Sequence, residues 1–82
     1  MNEVVEMKIG YLKLRIDGRY DMESEEGRYI TYFTCGDRLE LWDSNKEKWL
    51  SGVVEYKYNV GYYLLLDNNV GIELYKGAKV RV

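Results

Sequence analysis

A chain of 82 residues, 46% apolar, 15% aromatic and 32% charged, with a net charge of -2, has the make-up of one small folded domain and excludes a disordered segment or a pair of domains. It has no histidine and a single cysteine, Cys35, which removes the commonest general base and metal ligand, an intramolecular disulfide and a cysteine zinc site. With no secretory apolar region and no run long enough to span a bilayer, the expected setting is cytoplasmic.

Nine tyrosines and two tryptophans among many Val, Ile and Leu residues favour half-buried strands, and turn signals recur about every eight to twelve residues, as in an all-β sandwich or barrel. "KIGYLKLRI" alternates, placing Leu12, Leu14 and Ile16 on one face and Tyr11, Lys13 and Arg15 on the other. Asp17-Gly18 predicts a two-residue hairpin turn, and "RYDM" the return strand. The acidic stretch "ESEEG" leads to a second alternating run, "RYITYFTC". After a Gly36-Asp37 turn, "RLELW" points Leu39 and Leu41 inward and Arg38, Glu40 and Trp42 outward; "DSNKE" then turns the chain. "KWLSGVVEYKY" is a long strand, "GYYLLLD" its partner, "NNVG" a turn and "IELYKGAKVRV" the close. Gly52 sits mid-strand, where glycine weakens a sheet unless backbone or a large ring approaches closely.

The charge is uneven: residues 1 to 43 carry six basic and ten acidic side chains, and residues 44 to 82 carry six basic and four acidic. No dense basic stripe of the kind that neutralises phosphates results. Lys46, Lys48, Lys57, Lys76, Lys79 and Arg81 read as a solvated face.

"GDRLELWDSNKEKWLSGVVEY" followed by "YYLLLDNNVGIELYKGAKVRV" resembles the small SH3-like barrels, Tudor domains among them. The features shared are the Gly36-Asp37 turn, Trp49 in the loop region, the small Gly52 in mid-strand and the Lys76-Gly77 turn before the last strand. With Asp17-Gly18-Arg19-Tyr20, Cys35-Gly36-Asp37, Trp49, Tyr63-Leu64 and Gly77-Ala78-Lys79-Val80-Arg81, nearly the whole chain is similar to a family of short bacterial and mobile-element proteins, domain of unknown function 5348. The resemblance implies an all-β, SH3-like barrel with an added N-terminal β-hairpin. The expected single domain covers 1-82, with the hairpin at about 8-23 and the barrel at about 28-82. It also implies a partner among host or element-encoded proteins, such as a defence or conjugation component inhibited by occlusion. The Tudor likeness further raises a methylated-cation cage, since aromatic faces attract such groups. Trp42 and Trp49 fill two of its positions, whereas the other two fall near Leu66 and Asn68 or Asn69, which carry no ring.

In "YYLLLD" both faces are apolar, which an antiparallel strand avoids unless both are covered. Tyr62, Leu64 and Leu66 point into the core; Tyr63 and Leu65 have three candidate covers: the amino-terminal hairpin, a second copy of the chain, or a target. Trp42 and Trp49 alternate with charged and small residues and are placed outward. The candidate binding residues are therefore Trp42, Trp49, Tyr63 and Leu65, with a secondary acidic loop of Asp21, Glu23, Glu25 and Glu26. That loop lacks the glycine position and closing glutamate of a calcium loop, and "DNNVG" reads as a turn before a ligand set. No metal or cofactor is expected. Cys35, with no histidine to deprotonate it, is expected to be a buried small hydrophobe.

Three functions follow, in this order. The first is a non-enzymatic protein-binding module with aromatic anchors and a charged rim. The second is a nucleic-acid-binding accessory domain that stacks bases on exposed Trp and Tyr. The third is an enzyme, for which a nucleophile and base are hard to assemble from these residue types.

Overall fold

A computed structural model describes residues 7-82, and these form one antiparallel sheet of eight strands, making the fold all-β. The strands are β1 (Ile9–Leu14), β2 (Tyr20–Glu23), β3 (Tyr29–Phe33), β4 (Arg38–Asp43), β5 (Lys48–Lys57), β6 (Gly61–Leu66), β7 (Gly71–Glu73) and β8 (Lys79–Arg81). Their order across the sheet is β3-β2-β1-β8-β4-β5-β6-β7. Two meanders, β1 to β3 and β4 to β7, are thus joined edge to edge by the last strand, which pairs with β1 on one side and β4 on the other. The expected amino-terminal hairpin gains a third strand, because β3 pairs with β2. No helix among the described residues is long and apolar enough to cross a membrane.

Alternation carries the inner face. Leu12, Tyr20, Met22, Phe33, Leu39, Leu41, Val54, Leu64, Leu74, Ala78 and Val80 form the buried core, with Ile30, Tyr62, Leu66 and Ile72 packed against it. The inward placement of Leu39, Leu41, Tyr62, Leu64 and Leu66 is as the period-2 pattern predicts. The sheet curls over this core, so that the β1-β2 hairpin reaches the far meander. The Tyr20 hydroxyl donates to the Leu74 carbonyl (3.0 Å) and Arg19 Nε donates to the Tyr62 hydroxyl (3.2 Å). Burial, with Glu73 adding to it, pushes the Tyr20 phenol above its ordinary pKa, keeping it a neutral donor.

Three local expectations are corrected. Asp17-Gly18 is not a two-residue turn. Arg15 N donates to the Arg19 carbonyl (2.8 Å) and Gly18 N to the Arg15 carbonyl (3.1 Å), and Gly18 takes a φ of +86°. That is a type I turn closed by a left-handed residue, the three-residue hairpin loop. As its second residue, Ile16 leaves the face it was assigned and stands fully in water. Cys35 is exposed, because it occupies a corner of the Thr34–Asp37 turn.

The same loop recurs at Ser24–Arg28 with Gly27 at φ +84° and at Leu66–Val70 with Asn69 at φ +64°. Asparagine tolerates that region and β-branched residues do not. Asn69→Val should therefore cost about 1-2 kcal/mol, and Asn69→Gly should stay within about 0.5 kcal/mol of the parent, as read by thermal melts of the two variants.

Candidate interaction surface

The β4-β5 hairpin places its two indoles opposite one another. Asp43 Oδ1 accepts from the backbone of Asn45 (3.0 Å) and Lys46 (3.3 Å), an Asx turn, and Glu47 takes a φ of +51°. The register that follows sets Trp42 against Trp49, with ring centroids 5.2 Å apart and planes at 60°, edge to face. The pair lies on the outer face, half-buried, as the alternation predicts.

Across β4, the final strand brings two cations onto the same rings. Arg81 stands opposite Glu40 and donates from Nη2 to Glu40 Oε2 (3.0 Å), while its Cζ sits 4.3 Å from the Trp49 centroid. The buried Arg81 Nε has no hydrogen-bond partner, and what its guanidinium meets instead is the indole face. Lys79 Nζ lies 5.6 Å from the Trp42 centroid and 5.9 Å from that of Trp49, within cation-π range of both. Lys79 and Arg81, read from sequence as solvated, are therefore part of this site. The visible signal was their i, i+2 spacing around Val80; the strand beside which they would lie was not visible.

Tyr63 and Leu65 also face outward, but they are a separate patch. Leu65 is opposite Val53 and Tyr63 opposite Glu55. Trp49 lies four and six positions from those partners along β5, about 13 and 20 Å at the rise of a strand. The Tyr63 ring covers Gly71 on the edge strand, where a Cβ would come within 3.3 Å of it, so part of its role is to fill the space left by glycine. With Leu65, Val60 and Lys57 it lines an open depression. The hairpin contacts at this end, to Tyr62 and Leu74, lie on the inner side.

The acidic set also divides. Asp21 and Glu23 are strand residues paired across to Arg15 (3.4 Å) and Lys13 (3.7 Å), whereas Glu25 and Glu26 stand exposed in the Ser24–Gly27 turn. Among the described residues no three His, Cys, Asp or Glu side chains are grouped to hold a metal ion.

A family model described as Domain of unknown function (DUF5348) matches residues 10–82. The chain belongs to that family. No curated protein and no solved structure matches it. The short motifs of this DUF5348 chain build the frame around the site. In Cys35-Gly36-Asp37 the turn is locked by Thr34 N donating to Asp37 Oδ2 (2.9 Å) and docked on β5 through Gly36 N to the Val54 carbonyl (2.8 Å). Gly77, at φ +80°, donates from its backbone to the Leu12 carbonyl (2.8 Å) and starts the strand that delivers Lys79 and Arg81.

Proposed function

We propose that this domain is a non-enzymatic protein-binding module that acts by occupying a surface of its partner, with the outer face around Trp42 and Trp49 as the contact. The observation that carries the reading is the pair of half-buried indoles held edge to face under Lys79 and Arg81. Trp and Arg dominate interface hot spots, because each covers much apolar area while keeping a polar handle. Glu40 and Lys79 supply a polar rim with both signs of charge. Base stacking or a methylated cation fits this cluster less well, because the chain's own cations already lie over the rings.

The test pairs stability with affinity. A partner captured from the native host is purified and titrated against the wild type, Trp49→Ala and Leu41→Ala. Trp49→Ala should weaken binding by about 2 kcal/mol or more while costing the fold about 1-2 kcal/mol for the lost ring and cation contacts. Leu41→Ala should cost the fold about 2-4 kcal/mol. Binding that is unchanged in Trp49→Ala removes the indole pair from the contact. Tight, steeply salt-dependent binding of single-stranded DNA moves the function to nucleic acid.

A further inference from the structure

Two hairpin tips lie at one end of the molecule, linked through the Arg19–Tyr62 hydrogen bond, and both carry a large apolar side chain at the position a turn least needs one. Ile16 is the second residue of the Arg15–Gly18 turn and Tyr58 the second of the Lys57–Val60 turn. Ile16 is fully exposed and Tyr58 is 86% exposed. That turn position accepts most residues, proline included, so nothing in the turn calls for isoleucine or tyrosine.

The tips are tied together by a continuous series of contacts. Arg15 lies over the Tyr32 ring, 5.3 Å from its centroid, and reaches Asp17 (Nε to Oδ1, 3.4 Å); Asp17 Oδ2 is 3.7 Å from Arg19 Nη1. Arg19 then donates to the Tyr62 hydroxyl, and the Tyr62 ring lies 5.0 Å from that of Tyr56. The Arg19 guanidinium stays charged at any physiological pH, so the bridge is a charge-assisted one. Beside Ile16 and Tyr58, Leu14 and Tyr56 are also about half exposed; Leu14 pairs with Tyr20 and Tyr56 with Tyr62, so both stand on the inner side of the sheet where it opens at this end. Four large apolar side chains at one end of a small chain form a patch, whereas scattered single exposures need no explanation.

We propose that this end is a self-association surface, on which a second copy of the chain packs tip to tip about a two-fold axis. The area is of the right size. With large side chains carrying about 150-250 Å² each, covering Ile16, Tyr58 and the exposed halves of Leu14 and Tyr56 takes about 450-750 Å² from water per copy, around the roughly 500-800 Å² per partner of a weak to standard interface. The charge also fits an identical partner. Arg15 is paired with Asp17 and Asp21, and Arg19 with Asp17, so two copies meet with their charges already compensated. A strongly acidic or basic surface gains little from such a rim, whereas a two-fold interface needs self-complementarity.

Sedimentation velocity on the full chain, from about 5 to about 500 μM so as to bracket a weak interface, tests this. The wild type should pass from monomer to dimer with concentration. An Ile16→Ser, Tyr58→Ser double variant, whose melt should match the parent because both side chains lie in water, should need at least about tenfold more protein to dimerise. Trp49→Ala should dimerise like the wild type, which keeps this surface distinct from the one proposed above. A wild type that stays monomeric throughout overturns the inference, and so does a double variant that dimerises normally. Should the monomer instead float with phosphatidylcholine–phosphatidylglycerol vesicles in a manner that needs Ile16 and Tyr58, the tips belong to a lipid surface and the second copy is likewise refuted.

Discussion

Deleting residues 77–82 should leave a chain with no cooperative unfolding transition. Among the described residues, the strand pairing between the two meanders runs only through β8. That segment fills the seam from both sides: Lys8 and Val82 exchange backbone bonds at 2.8 and 2.9 Å, Gly77 N donates to the Leu12 carbonyl (2.8 Å) and Leu12 N to the Ala78 carbonyl (2.9 Å). Val80 and Ala78 are wholly buried at its centre. Removal would expose the edges of β1 and β4, open the middle of the core and take away the cations over the indoles. A small domain's net stability is only about 5-15 kcal/mol, and the loss of two ladders with a core strand exceeds what it can absorb. Circular dichroism melts and amide dispersion in NMR measure the outcome. A cooperative melt in the truncated chain would show that the meanders hold together by side-chain packing alone. Val80→Asp, which buries a charge with no partner in the same seam, should reproduce the effect at one position.

What could be read in advance divides along the same seam. The faces of β4, β5 and β6 were legible because side-chain direction is a local, period-2 property: Leu39, Leu41, Leu64 and Leu66 point inward and Trp42 and Trp49 outward. Alternation misplaces Ile16 because it stops where the strand stops, and a turn residue belongs to neither face. The Asp17-Gly18 dipeptide misleads because it does not reveal which carbonyl closes the turn; Arg15 does so, lengthening the loop by a residue. Lys79 and Arg81 carry no local sign of the rings they meet, because their neighbours come from β4, about forty residues earlier, and from Trp49, about thirty earlier, a pairing that no local pattern encodes. The same holds for Arg19 on Tyr62, separated by 43 positions. Gly10 gave no signal at the head of its strand, although a Cβ there would run into the Glu23 carbonyl. Gly52 did give one, since it interrupts a strand that otherwise reads as continuous.

Gly52→Val should therefore lower the melting temperature even though valine is the better strand former. Gly52 is buried on β5 between Leu39 of β4 and Leu66 of β6. A Cβ there would lie 2.5 Å from the Leu65 carbonyl oxygen, 2.8 Å from Leu64 Cγ and 3.0 Å from the Leu65 carbonyl carbon. Leu64 could rotate at some cost, but a backbone oxygen yields only if β6 moves, and β6 is fixed by six consecutive pairs with β5 from Gly52↔Leu66 to Lys57↔Gly61. Strand propensity returns at most about 1 kcal/mol, against about 1-3 kcal/mol for overpacking a well-filled core, with displacement of the strand adding to it. Since 1 kcal/mol moves the midpoint of a domain this size by about 4-8 °C, a drop on the order of 10 °C is expected. Gly52→Ala carries the same Cβ and should move in the same direction, whereas Ser51→Val, on the outer face of the same strand, has no such obstacle and should hold or raise the midpoint. A Gly52→Val chain that melts at or above the parent would mean that β5 and β6 can separate freely at this point, and the close approach would lose its role in fixing their register.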